Sequence, residues 1–340
     1  MSGKIKLMGC QLNTIDKETI RYFLQLGVTD IQYNTPDIPG EKTWAFEDIK
    51  NYKEMTEACG VKLVCIENVP IRFYDKVMLG LPGRDEQIEN YIGLIRSFGK
   101  LGIPYFGYHF TPTFVWRTSY NEQTRGGARV SAYSDKVARE NGNLVNYEAR
   151  LDVEIPDPED MWKNYQYFMK AILPEAEKAG VKMALHPDDP PVSIVSGVAR
   201  IFNSFESYVR AEKETDSPAW GIDLCLGCCS EMGGAEAVEQ FIRYFGPKGK
   251  IFYVHFRDVI GTPDHFRECY LGEGNFDPAK VMRLLRKSGF EGYVCEDHVP
   301  IMDHDSPFGH RARAYEIGKL QGMISMMDYD DKKEGPGFSW

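Results

Sequence analysis

Four side chains of types that bind metal ions stand at the ends of short apolar runs in the second half of the sequence: His186, Cys225, His255 and Asp297. If these runs are neighbouring parallel strands of a closed barrel, their C-terminal ends converge around the barrel axis. Mixed nitrogen, sulfur and oxygen ligands suit Mn, Fe, Co, Ni or Zn better than Mg or Ca. The pattern therefore predicts a divalent metal site. Cys228 and Cys229 are rival sulfur ligands, which we interpret as loop residues.

The stretch Met183–Pro191 contains the first of these residues, His186. The apolar run Val181–Leu185 has the length of a core strand, and Pro187 cannot continue a central ladder. The strand must therefore end at or soon after His186, before a stiff acidic loop. A histidine at a strand tip is where an α/β barrel places its chemistry. A core histidine before a proline-rich turn is the alternative interpretation.

Strand-like and helix-like patterns alternate along the sequence, which is typical of an α/β protein. The predicted strands are Ile5–Cys10, Val28–Tyr33, Lys62–Ile66, Pro104–His109, Val181–His186, Gly221–Cys225, Lys250–His255 and Gly292–Asp297. Eight strand–helix units predict a single (β/α)8 TIM barrel. A doubly wound open sheet is the competing fold, but no glycine-rich fingerprint follows the first strand.

We predict a barrel domain over residues 1–327 and a charged C-terminal tail over residues 328–340. A long polar connection, residues 110–157, follows the fourth strand. A compact domain rarely keeps so long a loop without a use, and its position on the active-site face favours a lid. A solvated excursion is the alternative. The next helix is predicted to begin after Asp157 and to bury an apolar stripe from Met161 to Ala176.

The composition is that of an ordinary globular protein, with 43% hydrophobic and 26% charged residues among 340. A formal net charge of -10 without a basic stripe argues against nucleic-acid and membrane-surface partners. No apolar run approaches the length of a membrane span, and the first residues lack a secretory signal. The eight cysteines show no disulfide spacing. These features predict a cytoplasmic protein.

The sequence resembles the mannonate dehydratase family of xylose-isomerase-like TIM barrels between about residues 25 and 323. The resemblance is carried by Leu79–Tyr91, Ala184–Pro191, Leu224–Gly227, Val254–Arg257, Asp297–His298, Arg313–Ala314 and Leu320–Gly322. It implies that the four residues at the strand tips hold a metal, usually Mn. It also implies a hydro-lyase of hexuronate catabolism that converts D-mannonate, or a closely related sugar acid, to 2-keto-3-deoxy-D-gluconate. Barrels of this superfamily commonly form homo-oligomers.

The implied reaction needs a base for the proton next to the carboxylate and an acid for the departing C3 hydroxyl. The resemblance implies that His298 takes one of these roles, with orientation of Asp297 as the alternative. The family has a tyrosine a few residues before Arg313, and Phe308 stands there in this sequence. Phenylalanine cannot carry a proton, so the second catalytic group must lie elsewhere.

Three nearby residues are candidates for that second group. We select His310 as the second catalytic residue, and Tyr120 or Tyr133 of the predicted lid are alternatives. The sequence does not distinguish among them.

Further residues have the chemistry needed to bind a sugar acid. A planar guanidinium pairs bidentately with a carboxylate, which makes arginines near the strand ends candidates, although each could equally form a structural salt bridge. Histidine and aspartate can bind sugar hydroxyls. The predicted substrate-binding residues are Arg84, His109, Trp116, Asp188, Arg257 and Arg313, and Asp189 is a further acid of the same loop.

The substitution at Phe308 leaves other functions open. A metal-dependent sugar isomerase, epimerase or lyase acting on a different sugar or keto-sugar would use the same metal and barrel. A catalytically silent binding protein is a third interpretation.

Overall fold

Strands and helices alternate through the computed structural model, which describes residues 5–113, 115–140 and 155–333. In chain order the strands are β1 (Lys6–Leu7), β2 (Gly9–Leu12), β3 (Asp30–Asn34), β4 (Lys62–Glu67), β5 (Tyr105–Tyr108), β6 (Ser119–Gln123), β7 (Arg129–Ser134), β8 (Lys182–Leu185), β9 (Ile194–Val195), β10 (Val198–Ala199), β11 (Trp220–Cys225), β12 (Ile251–His255), β13 (Asp258–Thr262), β14 (His265–Cys269) and β15 (Tyr293–Cys295).

The helices lie mostly between these strands. They are α1 (Lys17–Gln25), α2 (Phe46–Glu57), α3 (Asp75–Leu79), α4 (Arg84–Leu101), α5 (Asp135–Glu140), α6 (Pro158–Ala179), α7 (Phe205–Thr215), α8 (Leu226–Phe245), α9 (Pro278–Lys287) and α10 (His310–Lys333). Short 3₁₀ turns cover Ile71–Phe73 and Arg125–Gly127. Among the described residues, no helix has both the length and the apolar character that a membrane span requires.

A parallel sheet forms the central barrel, in the order β1, β15, β12, β11, β8, β5, β4, β3, β2. β1 pairs with β15 and β2 pairs with β3, and only Met8 separates β1 from β2. The two segments therefore act as one interrupted strand, through which the sheet closes on itself. The predicted α/β TIM barrel is confirmed. The predicted first strand is divided at Met8.

The barrel strands end at the face where the candidate metal ligands lie. β11 ends at Cys225 and β12 at His255, whereas β8 ends one residue before His186. β15 ends at Cys295, so the predicted strand to Asp297 is two residues too long. Asp297 has a φ of 55°, a left-handed conformation that leaves the extended path of a strand and that aspartate tolerates better than most residues.

Helix α6 shows how the outer layer packs on the barrel. The Asp157 side chain caps the helix by accepting a hydrogen bond from the Asp160 N–H (2.8 Å), and Pro158 occupies the first turn. The predicted stripe is buried: Met161, Tyr165, Phe168, Met169, Ile172 and Ala176. The helix ends at Gly180 in a left-handed conformation.

A second sheet lies at the mouth of the barrel. It is antiparallel in the order β13, β14, β7, β6, so two strands from the connection after β5 pair with two strands that follow β12. We call this four-stranded sheet the cover. The sequence did not predict its strands. The cover includes part of the predicted lid at 110–157, of which residues 114 and 141–154 lie outside the described residues.

Helix α10 continues through residues 328–333, where the sequence predicted the beginning of a tail. The Arg286 guanidinium on α9 contacts Asp328 (2.6 Å) and Asp331 (2.5 Å), and these contacts tie the end of α10 to the barrel. Residues 334–340 of the predicted tail lie outside the described residues.

Candidate metal centre and active site

Three of the predicted metal ligands meet at the centre of the barrel mouth. The potential ligand atoms of His186, Cys225 and His255 all lie within 4.8 Å of one another, and all three residues are buried. They come from the ends of the adjacent strands β8, β11 and β12. Parallel pairing brings their side chains together, although 69 positions separate the first residue from the last.

The donor atoms of this trio have the chemistry that a metal ion needs. Neither ring nitrogen of His255 has a hydrogen-bond partner in the described structure, despite complete burial. Burial raises the pKa of the Cys225 thiol, but contacts with Cys228 and the Arg257 charge outweigh burial and hold that pKa well below its usual value. A thiolate and imidazole nitrogens in a buried site fit a divalent cation.

Asp297 lies at the edge of this trio. Its Oδ2 is 3.7 Å from His255 Nδ1 and forms an ion pair with Arg257 Nε at 2.9 Å. Its Oδ1 accepts a hydrogen bond from Gln11 Nε2 at 2.7 Å. The carboxylate is therefore next to the candidate site but is paired with an arginine, and it belongs to no close metal-ligand trio among the described residues.

A second group of possible ligands shares His255. Glu67, at the end of β4, and Asp223, on β11, lie 3.1 Å and 3.5 Å from His255 Nε2. Both Asp223 oxygens are buried without a hydrogen-bond partner among the described residues, and burial raises the Asp223 pKa well above its usual value. Glu67 was not among the residues that the sequence singled out. The signal that could have identified Glu67 is its position directly after the predicted strand Lys62–Ile66.

Arg257 organises the carboxylates around the site. Its guanidinium is buried and contacts Asp189 (2.7 Å), Glu231 (3.3 Å) and Cys228 Sγ (3.1 Å). These three residues form a further possible metal-ligand trio, but the Arg257 cation already occupies their centre. Gly227 makes room for it, since a Cβ at this position would lie 2.4 Å from the guanidinium. Arg257 is therefore committed to protein carboxylates.

His298 is held by a carboxylate that the sequence did not single out. Its Nδ1 lies 2.6 Å from Glu268 Oε1 on β14, and its Nε2 is 3.7 Å from Asp297 Oδ1. Burial lowers the pKa of His298, but the charges of Asp297 and Glu268 outweigh burial and raise it above the usual value. Glu268 thereby fixes the ring and leaves Nε2 facing the candidate metal ligand.

A cavity of about 290 Å³ opens beside His298. The cover and the loop after β15 line it together. The lining residues are Val115, Arg117, Tyr120, Arg129, Val130, Ser131, Glu268, His298, Val299, Ile301, Pro307, Phe308, Gly309 and Arg313. A larger cavity, about 1120 Å³, lies on the outer surface by α7 and α8, away from all the candidate ligands. We therefore assign the smaller cavity to the active site on the basis of its residues.

Arg117 connects the cover to the barrel. Its guanidinium forms two hydrogen bonds with Asp189 (2.5 and 2.7 Å) and one with Glu268 (3.2 Å). The Trp116 backbone N–H donates to the Asp189 carbonyl at 3.0 Å, while the Trp116 ring packs against the apolar cluster of the cover. The Asp189 carboxylate is therefore paired with arginines and is not free to bind a sugar hydroxyl.

His109 and Asp188 occupy the β8 side of the site. The His109 ring lies 4.4 Å from the His186 ring, and its Nδ1 is 2.7 Å from Asn68 Oδ1. The Asp188 Oδ2 accepts a hydrogen bond from the Phe202 N–H at 2.7 Å. Burial raises the pKa of Asp188 to about 6 despite the nearby Arg200 charge. Both residues are beside the metal trio.

Three remaining candidates take different positions. Arg313 lines the active-site cavity and donates to Glu296 Oε1 (2.9 Å) and the Asp297 carbonyl (2.9 Å). Arg84 lies in the outer helical layer, with its guanidinium 4.2 Å from the Tyr167 ring centre. His310 packs 4.6 Å from the Tyr22 ring and contacts Ser306 Oγ at 2.5 Å. The structure brings neither Arg84 nor His310 into contact with the other candidates.

Both the sequence and the fold resemble those of known proteins. A family model described as D-mannonate dehydratase (UxuA) matches residues 1–334. A mannonate dehydratase of Streptococcus agalactiae is 36% identical over 283 residues, which covers 77% of this chain and 80% of the relative. The crystal structure of mannonate dehydratase from Streptococcus suis serotype 2 superposes with a TM-score of 0.85 at 28% identity, covering 98% and 97% of the two chains. An L-ribulose 3-epimerase, at a TM-score of 0.61 and 13% identity over 99% and 100% of the chains, shares the fold.

Proposed function

The chain belongs to the D-mannonate dehydratase family, whose members are hydro-lyases that remove water from D-mannonate, and we propose that here the reaction depends on a divalent metal and yields 2-keto-3-deoxy-D-gluconate. The observation that carries the proposal is the buried trio of His186, Cys225 and His255. Asp297 is the proposed fourth ligand, 3.7 Å from His255. It would exchange its ion pair with Arg257 for the metal. The mixed ligand set suits Mn, Fe, Co, Ni or Zn, and the family resemblance favours Mn among them.

When bound, the metal would act as a Lewis acid that lowers the barrier to loss of the proton next to the substrate carboxylate. His298 is the proposed proton-transfer residue, because its Nε2 points to the metal side while Nδ1 is anchored on Glu268 at 2.6 Å. Orientation of an imidazole by a buried carboxylate is a common way to fix which nitrogen exchanges a proton. Glu268 therefore positions His298.

Arg313 is the proposed partner of the substrate carboxylate. It lines the cavity beside His298, and its described hydrogen bonds use Nε and Nη1. Its Nη2 is then available to a carboxylate oxygen. Arg257 fits this role less well because four protein groups already contact it. His109 and Asp188 remain predicted contacts of the sugar hydroxyls, and Trp116 remains a predicted substrate-binding residue.

The direct test is turnover of D-mannonate by the purified full-length protein with added Mn²⁺, followed by mass spectrometry. We expect a product lighter by one water. A product of unchanged mass would contradict the dehydration and favour the isomerase or epimerase interpretation. His298→Ala should retain the metal and lose at least about 100-fold in kcat. His265→Ala, which alters an exposed histidine of β14, is the matched control and should retain turnover.

We further propose a cytoplasmic protein that forms a homo-oligomer. The cytoplasmic location is supported by eight cysteines that are all free thiols. The homo-oligomer stays a prediction from the family resemblance, and light scattering of the purified protein would test it.

A further inference from the structure

A second proton-transfer group must face the same substrate as His298. Dehydration breaks a C–H bond on one carbon and a C–O bond on the next, and a hydroxyl leaves readily only when it is protonated. His298 has one nitrogen engaged by Glu268, so only Nε2 can exchange a proton with the substrate. One imidazole nitrogen accepting the carbon-bound proton cannot simultaneously donate to the hydroxyl. The active-site cavity must therefore supply a separate acid.

Few residues lining that cavity can act as an acid. The arginines retain their protons throughout the physiological range. The contact with His298, together with the Arg117 and Arg257 charges, outweighs burial and lowers the pKa of Glu268, which is thus an ionised acceptor. Ser131 Oγ already accepts a hydrogen bond from Arg117 Nε at 2.9 Å, and a serine hydroxyl is a weak acid. Apart from His298, Tyr120 is the one remaining lining residue with a proton to donate.

The two other candidates from the sequence lie outside this cavity. The Tyr133 hydroxyl donates to Asp135 Oδ1 at 3.3 Å, and burial together with the Asp135 charge raises its pKa to about 12. His310 is packed between Tyr22 and Phe308 and contacts Ser306. Neither residue lines the cavity described by the structure.

Tyr120 is held at the cavity wall by the attachments of its hairpin. It lies on β6, whose partner β7 pairs with the loop after the barrel strand β15: Arg129 and Ile301 exchange backbone hydrogen bonds of 3.0 and 2.8 Å. At the other end, Arg117 is bound to Asp189 and Glu268. The Tyr120 side chain is 63% exposed, and its hydroxyl has no hydrogen-bond partner in the parts of the chain that the structure describes. It can therefore reach a ligand that enters the cavity.

We propose that Tyr120 is the catalytic acid that protonates the departing C3 hydroxyl. This inference rests on the proposed dehydration of D-mannonate. The C2–H bond breaks, its proton passes to His298 Nε2, and the adjacent carboxylate holds the electron pair as an enediolate. The electron pair then forms the C2–C3 double bond as the C3–O bond breaks, and the departing hydroxyl takes the Tyr120 proton and leaves as water. The resulting enol takes a proton at C3 and releases its hydroxyl proton, giving the 2-keto-3-deoxy acid. The proton held by His298 returns to the phenolate through solvent.

The test compares Tyr120→Phe with the wild type, both loaded with Mn²⁺ and supplied with D-mannonate in D₂O. Two quantities are measured: formation of the keto acid, and deuterium incorporation at C2 of the recovered substrate. In Tyr120→Phe we expect kcat for dehydration to fall at least about 100-fold. KM should change little, and exchange at C2 should persist because His298 is intact. Tyr329→Phe, an exposed tyrosine of α10 outside the cavity, is the matched control.

A rescue variant separates loss of the acid from structural damage. Phe308 lines the same cavity, so Phe308→Tyr introduces a phenol there, and Tyr120→Phe/Phe308→Tyr should recover part of the lost kcat. Undiminished dehydration in Tyr120→Phe would overturn the role of Tyr120 while leaving the proposed function intact. Loss of C2 exchange together with dehydration in Tyr120→Phe would also overturn the assignment. A wild-type protein that neither dehydrates nor exchanges D-mannonate would overturn both the proposed function and this inference.

Discussion

Glu316 is a buried carboxyl group outside the active-site cavity. It lies on α10, is 3% exposed and accepts a hydrogen bond from the Leu271 N–H at 3.1 Å. Burial raises its pKa to about 7, against the opposing effects of that hydrogen bond and of Lys319. Its ionisation therefore takes place near neutral pH, well above that of an exposed glutamate.

Replacing this carboxyl should change how the stability of the protein depends on pH. An unfolded glutamate titrates near about pH 4.3, so between about pH 4.3 and 7 the native state binds a proton that the unfolded state has released. The contribution of Glu316 to the free energy of unfolding should therefore fall as pH rises from about 4.3 and should be lost above about pH 7. Glu316→Gln has no such proton. Relative to this variant, the wild type should lose roughly 2–3 kcal/mol between about pH 5 and 8, measured by urea unfolding.

The matched control for this measurement is Glu89→Gln, which alters an exposed glutamate of α4. Its stability should follow the wild-type pH dependence. Parallel pH profiles for Glu316→Gln and the wild type would contradict the assignment of the raised pKa.

The sequence indicated the candidate metal ligands better than the residues that support them. We chose His186, Cys225 and His255 because the C-terminal ends of neighbouring parallel strands converge in a barrel. In the structure their potential ligand atoms do lie close together. Glu268 and Glu67 were missed since each lies on a strand far from its partner in the sequence, and a lone glutamate has no distinguishing pattern. Arg84 was selected from a resembling stretch, but helix α4 directs its side chain onto Tyr167.

At the scale of elements, Arg117 is a buried polar connection between the cover and the barrel. Its side chain is almost fully buried and pairs with two carboxylates from different segments, Asp189 and Glu268. Removing one partner of a buried ion pair leaves the other charges uncompensated, which usually destabilises a protein by about 3–5 kcal/mol.

We expect Arg117→Ala to lower the free energy of unfolding by about 3 kcal/mol, at the low end of that range because Arg257 still pairs with Asp189. Urea unfolding measures this loss. Arg129→Ala removes an exposed arginine from the same hairpin and should change stability by less than about 1 kcal/mol. Equal losses of unfolding free energy in the two variants would show that the buried ion pairs of Arg117 stabilise the protein no more than the exposed Arg129 does.

The barrel strands were predictable because they are short apolar runs between helical patterns, whereas the cover was not. Four of the five side chains of β6 are exposed, so this strand has no alternation of buried and exposed residues. Its sheet also depends on β14, which follows more than a hundred residues later. The sequence therefore predicted only that a long connection lies over the active-site face.

At the scale of the whole molecule, a metal in the candidate site would join three barrel strands through their tips. A ligand that binds only the folded state stabilises it by about 2.7 kcal/mol when present at a hundredfold excess over its Kd. We expect Mn²⁺ to raise the Tm of the metal-free wild type by several degrees, measured by calorimetry. Removing the metal with a chelator should reverse the gain.

Two cysteine variants make this thermal measurement specific. Cys225→Ala should abolish the rise in Tm because it removes the thiolate ligand. Cys228→Ala alters the neighbouring buried thiol, which contacts Arg257, and should keep the rise. If the Tm gain survived in Cys225→Ala and disappeared in Cys228→Ala, the sulfur ligand would be Cys228 and our assignment of Cys225 would be wrong.

The barrel can close only late in the synthesis of the chain, because its first strand pairs with its last. β1 can pair with β15 only after almost the whole chain has been made, and the Gln11–Asp297 hydrogen bond joins residues 286 positions apart. The cover likewise waits for β14 before β7 has its second partner. Contacts of such long range form late in folding. A nascent chain that ends after β11 has His186 and Cys225 but lacks His255, Asp297 and His298, so a complete catalytic centre is a property of the finished chain.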